Sequence, residues 1–386
     1  MSLTRTSCLI LCVWSLTSLH TGAQPKPIDS ASVLWAADVV PDLSGALNVG
    51  TPHLRDFNRA GVIFLDDNTL LVYSVDLDTG QLSSRERPDV SSAFRLRATL
   101  YDASSGKLIL SENWGTQPHE SLIHVVQGGV LVRTGSVLKL FSSDLSESQS
   151  VTLRESDNAL VASHWSLWLV SVSPTGKTVM INRIDQKSNT SHFDILDGNT
   201  LRLKHSWDES PGLYNSYSIS DEGIIAAEFH PTAKLIYTKF GSRKWVPVGD
   251  RPNFGSFGIP TMISDESFFV AEANQLCVLS LGGKCEVLYE LDKSESLDQN
   301  VSLSRGGRFV AMSLNSTEIK KHILAETRIR VSPKEVAVYD LTLKKRVLTV
   351  HLSPLPKNDY DFALSPNASK LVILNDRRAS VYSVPQ

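Results

Sequence analysis

Two stretches decide the fold: LWLVSVSPTGKTVMINRI at 167–184 and SHFDILDGNTLRLKHSW at 191–207. Each holds two apolar, strand-like runs that meet at a polar turn, Ser173-Pro174-Thr175-Gly176-Lys177 in the first and Leu196-Asp197-Gly198-Asn199-Thr200 in the second. Gly takes positive φ without steric cost, while Pro, Asp and Asn pre-set tight turns. Four short strands joined by such hairpins make one antiparallel sheet of the size of a propeller blade.

With the first turn as a ruler, equivalents recur along the chain. They are Leu65–Asn68, Val126–Gly129, Ser173–Gly176, Ser220–Gly223, Ser264–Ser267, Ser304–Gly307 and Ser365–Ala368, each followed by an apolar run. Their second positions are separated by 61, 47, 47, 44, 40 and 61 residues. A period near ~45 is that of a four-stranded blade, and no helical hydrophobic period competes with it. The expected fold is all-β: a seven-bladed β-propeller of four-stranded antiparallel blades.

The last unit offers only three strands, Tyr360–Leu364, Ser369–Leu374 and Ala379–Val384. The apolar run Ala31–Val40 has no partner of its own. Pairing 31–40 onto the last blade closes the ring and covers two free sheet edges. Two insertions stretch the long intervals, at 76–93 and 315–333, both between a second and a third strand. Both are expected as loops on the channel-mouth face, where long loops on a rigid scaffold carry binding.

A second pattern ends the third strands. Asp102-Ala103-Ser104-Ser105-Gly106-Lys107 and Asp340-Leu341-Thr342-Leu343-Lys344-Lys345 share it, with Leu279–Lys284 as a looser copy. The pattern resembles the Asp-x-x-Thr-Gly-Lys hairpin of bacterial propellers of the WD40-like and YVTN type. The resemblance extends over most of the chain at the level of pattern. The Gly-His…Trp-Asp signature of eukaryotic WD40 repeats is missing, so it implies a secreted seven-bladed architecture and no particular member. Asp102-x-x-Ser105-Gly106-Lys107 also resembles part of the repeat of quinone-cofactor propellers. In those a Trp soon after the Lys docks neighbouring blades; here Trp114 comes too late, and cofactor binding by that route is not expected.

Residues 1–23 read as a cleavable signal peptide: Arg5, then the apolar core Leu9–Trp14, then Thr21-Gly22-Ala23 at the cleavage site. The mature chain, 24–386, is expected to be secreted or periplasmic, monomeric and without membrane insertion. Net charge is −3, or −4 without Arg5, which gives no electrostatic case for nucleic acid. Outside the signal the cysteines are Cys277 and Cys285. In an oxidising compartment they read as a disulfide across a hairpin, with two free thiols or a partnerless metal pair as the alternatives.

Sharp catalytic motifs are absent: no HExxH, no Gly-x-Ser-x-Gly and no phosphate-cradling loop. Asp76-Leu77-Asp78-Thr79-Gly80 has its glycine too early for a calcium loop and lacks the closing acid. No cofactor, metal or catalytic residue is therefore assigned. The connectors entering the blades carry Arg55, Arg59, His119, His164, Trp165, Tyr214, Phe257, Asp298 and Asp359, the candidates for a ring at the channel mouth. Propeller lactonases and lyases build sites from such Arg, His and carboxylate rings, although the same residues also cap strands. Lys320, Lys321, His322, Arg328 and Arg330 form a cationic cluster in the second insertion, and Asn189, Asn300, Asn315 and Asn367 lie in N-x-Ser/Thr sequons. The expected function is a non-catalytic binding or interaction module for a protein or small extracellular ligand. The alternative is a lactonase-like hydrolase or lyase working at the channel mouth.

Overall fold

The computed structural model describes residues 31–40, 60–77, 94–115, 123–134, 137–153, 168–185, 190–209, 217–228, 234–242, 244–248, 261–272, 275–290, 295–322, 325–356 and 360–386. The first strand, β1 (Val33–Asp38), stands apart in sequence from its sheet. Blade 1 is β2 (Ala60–Phe64), β3 (Thr69–Leu77), β4 (Phe94–Asp102) and β5 (Leu108–Gly115). Blade 2 is β6 (Ile123–Val126), β7 (Gly129–Thr134), β8 (Val137–Phe141) and β9 (Glu147–Thr152). Blade 3, the opening stretch of the sequence, is β10 (Trp168–Val172), β11 (Thr178–Asp185), β12 (Thr190–Asp197) and β13 (Leu203–Glu209). Blade 4 is β14 (Tyr217–Ile219), β15 (Gly223–Glu228), β16 (Lys234–Lys239) and β17 (Val246–Pro247). Blade 5 is β18 (Thr261–Met262), β19 (Ser267–Glu272), β20 (Gln275–Ser280) and β21 (Cys285–Glu290). Blade 6 is β22 (Glu295–Leu303), β23 (Phe309–His322), β24 (Ala325–Asp340) and β25 (Lys345–His351). Blade 7 is β26 (Tyr360–Leu364), β27 (Lys370–Asn375) and β28 (Arg378–Ser383), with β1 as its fourth, outermost strand.

The apolar runs are continuous because each sheet is sandwiched between two others. Side chains alternate across a strand, so successive residues of β3 go to different neighbours. Leu70 and Val72 pack with Val372, Leu374 and Val381 of blade 7. Leu71, between them, packs with Val130 and Val132 of blade 2. In blade 4, Ile224 faces Met180 and Phe193 of blade 3, while Ile225 faces Met262 and Phe268 of blade 5. Outer strands lose this enclosure and turn polar, as in the nearly all-exposed β9. Trp114, at the far end of β5, stacks on Phe141 of blade 2 at 4.1 Å and 20°. It docks neighbouring blades despite its late position in the repeat.

Third-to-fourth-strand turns share one device. Asp102 Oδ1 accepts the amides of Ser104 and Ser105 at 3.0 and 2.7 Å, Asp197 Oδ1 those of Asn199 and Thr200, and Asp340 Oδ1 those of Thr342 and Leu343. A carboxylate bonded to amides two and three residues on makes an Asx-turn. Four residues after each Asp the chain takes positive φ, at Gly106 (69°), Leu201 (50°) and Lys344 (54°).

Closure follows the expected route, with Trp35 opposite Val381 and Asp38 opposite Arg378. The strand also crosses to the next blade: Trp35 Nε1 donates to Ala103 O at 2.9 Å, and its ring lies over Gly106. A Cβ at Gly106 would come within 2.8 Å of Trp35 Cδ2, on a backbone already at φ 69°. Gly106→Ala is therefore expected to lower stability by about 1–3 kcal/mol in urea unfolding. An unchanged midpoint would show that Trp35 does not rest on this turn.

The second insertion is not a loop. Residues 315–333 continue both strands as a β-hairpin, paired out to His322 opposite Ala325. The physical reason is legible afterwards: Thr317, Ile319, Thr327, Ile329 and Val331 are β-branched residues at alternate positions, which favour extended pairing. In the first insertion, Asp76 and Leu77 belong to β3, opposite Arg95 and Phe94, and 78–93 lie outside the described residues.

Candidate functional site

The described residues frame one end of the ring and a projecting arm. Of the channel-mouth candidates, Arg55, Arg59, His119, His164, Trp165, Tyr214, Phe257 and Asp359 lie outside the described residues; Asp298 lies on β22, its backbone alone described. The end framed by described residues is built from the first-to-second-strand turns.

These turns bond from blade to blade. Thr175 Oγ1 donates to Asp221 at 2.7 Å, the Glu222 amide to Asp265 at 3.1 Å, the Arg305 amide to Pro366 O at 2.9 Å and the Asn367 amide to Asp67 at 2.8 Å. Inside, strand links to strand: Ser218 Oγ accepts the Met262 amide at 2.8 Å and Ser302 Oγ the Leu364 amide at 2.9 Å. At the closing junction a carboxylate takes this part, Asp361 accepting the Val62 amide at 2.9 Å. The central channel within this frame is a cavity of about 270 Å³, walled by the innermost strands of all seven blades. His124 of β6 lies in its wall and Arg305 at its rim. Burial pushes the His124 imidazole down to about 4, so it is neutral at pH 7.

On the outer face of blade 3, His192 stands between two carboxylates, with Nδ1 at 2.6 Å from Asp208 and Nε2 at 3.0 Å from Asp194. Ser206 Oγ is 3.3 Å from the same Nε2. The order Ser–His–Asp is that of a hydrolytic triad, but Ser206 Oγ donates at 2.7 Å to Asp194 instead. Asp194 is also held by Arg183 of β11 at 3.6 Å, and the hydroxyl is committed to a carboxylate in place of the imidazole. The network staples β12 to β13. Sequence reading missed it because three of its four contacts cross the hairpin.

The arm is the largest departure from the blade plan. The partners of β23 and β24 stop at Glu295 opposite Ser316 and at Glu335 opposite His351. Beyond them, among the described residues, 317–322 and 325–330 pair only with each other, reaching roughly 20 Å past the blade at 3.3 Å per residue. Register shifts at Leu314/Asn315 and Ser316/Thr317 mark bulges at its base, which bend a strand and re-aim it. The root is rigid: Arg346 binds the buried Glu335 at 3.0 Å and the Tyr339 hydroxyl at 3.0 Å, and lies over the Tyr289 ring at 4.8 Å. Asn315 is fully buried there, so its sequon is closed to modification, while Asn367 is exposed.

Cys277 and Cys285 join β20 to β21 as a disulfide, with Cα atoms 5.8 Å apart. Among the described residues no three or more His, Cys, Asp or Glu converge as a metal site, and no helix is long and apolar enough to cross a membrane.

No protein-family model and no curated protein matches the chain. Solved structures share the fold at low identity. The WD40 domain of Pan2 from Neurospora crassa is similar with a TM-score of 0.53 and 10% identity, over 94% of this chain and 98% of that one. The C-terminal WD40 domain of Sif2 is similar at 0.50 and 10%, over 93% and 99%. KlHsv2 with its loop 6CD replaced by a Gly-Ser linker is similar at 0.50 and 12%, over 86% and 98%. The chain thus shares the propeller fold of these WD40 domains.

Proposed function

We propose that the chain is an exported, monomeric, non-catalytic propeller that binds an anionic protein surface through the β23–β24 arm. The arm itself carries the reading. An isolated two-stranded hairpin is marginal in water, and both edges of this one present unpaired backbone groups to any neighbour. Residues 317–330 contain Lys320, Lys321, Arg328 and Arg330 against Glu318 and Glu326, a net +2 on a chain of −3. A cationic limb on an acidic body favours an acidic partner and orients its approach. The apolar stretch 9–14 behind Arg5 and the bridged cysteines support export.

The test replaces 317–330 by an Asn-Gly turn, leaving the Arg346–Glu335 root intact. Chemical crosslinking in the exported fraction, followed by mass spectrometry, is expected to yield a partner with the full chain that the armless chain loses. The full-chain complex is also expected to weaken steeply between 50 and 500 mM salt (on the order of tenfold or more). Equal crosslinking by an armless chain with unchanged melting would remove the arm from the interface.

A further inference from the structure

We propose that the turn-framed end of the central channel binds a small carboxylate with an apolar body. Charge is the first ground. Among the described residues lining the cavity, Arg305 is the one charged side chain, and no carboxylate takes part. Arg305 forms no ion pair within the described residues; its backbone amide, not its guanidinium, makes the bond to Pro366. The turn-to-turn bonds engage Asp221, Asp265 and Asp67 outside the lining. An exposed guanidinium at the rim, free of ion pairs among the described residues, favours an oxyanion, which it grips with two parallel N–H donors.

The second ground is independent of the first. His124 lines the channel wall, and its buried Nε2 has no hydrogen-bond partner among the described residues. Buried polar atoms are nearly always satisfied, and among the described orphans His124 Nε2 is the one that belongs to a residue lining this cavity. Arg305 belongs to blade 6 and His124 to blade 2, so a ligand touching both spans the channel.

The third ground sets the body of the ligand. Ile63, Val125, Val172, Met262 and Leu303 supply an apolar wall, and the hydroxyls of Ser218 and Ser302 each accept a backbone amide. At about 270 Å³ the cavity lies just below the usual range of about 300–1,000 Å³ for ligand pockets. A compact molecule suits it: the carboxylate on Arg305 at the rim and the apolar body below, against the His124 ring.

Benzoate is the probe, titrated calorimetrically into the full chain at low ionic strength, with benzyl alcohol as the uncharged match and inorganic phosphate as the bare anion. Benzoate is expected to bind, with benzyl alcohol and phosphate each at least tenfold weaker. Arg305→Gln is expected to weaken benzoate at least tenfold and His124→Leu several-fold. Lys177→Gln, a cation on the same end but outside the lining, should change nothing. The armless chain should bind benzoate as the full chain does, which separates this site from the interaction reading. The proposal falls if benzoate shows no heat at about 10 mM, a free energy of only about −3 kcal/mol. It falls equally if Arg305→Gln binds as wild type, or if benzyl alcohol or phosphate matches benzoate.

Discussion

Trp35→Ala is expected to lower the unfolding free energy by about 2–3 kcal/mol, near the lower end for large aromatic truncations because the ring is only half-buried. Three losses combine. The Nε1–H bond to Ala103 O disappears, the ring leaves Gly106 and Tyr101, and β1 keeps only its pairing with β28. The first two join different blades, so the damage falls on the seam and not on any single sheet. Urea unfolding gives the magnitude, and hydrogen exchange gives the place. Amides of β28 and of the 102–107 turn should exchange faster, while those of β15 and β16, across the ring, should not. Uniform acceleration around the ring would mean that the blades unfold as one unit and that closure has no local seam.

Asp361→Asn is expected to stabilise the protein at neutral pH and to remove part of its pH dependence. Enclosure at the junction of blades 7 and 1 pushes the Asp361 carboxyl up to about 6, against an ordinary value near 3.8. Tyr73, also raised by burial, lies beside it, and a Cβ at Gly61 would sit 2.8 Å from Asp361 Oδ2, so no water-filled space separates the groups. The sign follows from proton binding. Between pH 4 and 6 the folded chain holds a proton that the unfolded chain has lost, so stability falls as pH rises through that window and is level above it. The loss is at most about 3 kcal/mol at 1.36 kcal/mol per pH unit. Asparagine still accepts the Val62 amide but carries no charge. The difference between variant and wild type should therefore grow from pH 4 to 6 in favour of the variant. A flat difference would show the carboxylate to be solvated.

What was readable in advance depended on how local its cause is. The Ser173–Gly176 turn and the Asx-turns at Asp102 and Asp340 are decided by a few adjacent residues, and they marked out seven blades. Ala31–Val40 was legible for a different reason: three strands in the last unit left one place empty. The arm was seen as a surplus in spacing but misread as loop, because the charges of 317–330 obscured its alternating β-branched residues. Trp114 was discounted by counting along a repeat, whereas its contact with Phe141 depends on the distance between blades. Arg305 and His124 gave no signal at all. A turn residue and a lone strand histidine acquire a common cavity only when seven strands converge, and nothing near either in sequence records that.

Closure by β1 also sets a schedule for making the molecule. The strand at 33–38 leaves the ribosome well before its partner, 378–383, which follows some 340 residues later (Asp38 pairs with Arg378). Blades 1 to 6 complete their sheets from consecutive residues as they emerge, but blade 7 and the seam must wait for synthesis to pass Ser383. Contacts of such separation are slow to form, so an early β1 remains an unpaired, half-apolar strand throughout elongation. A ring that cannot close until β28 has been made stays open through that interval, which exposes it to capture by a holding chaperone. The seam is thus a timer as well as a fastening.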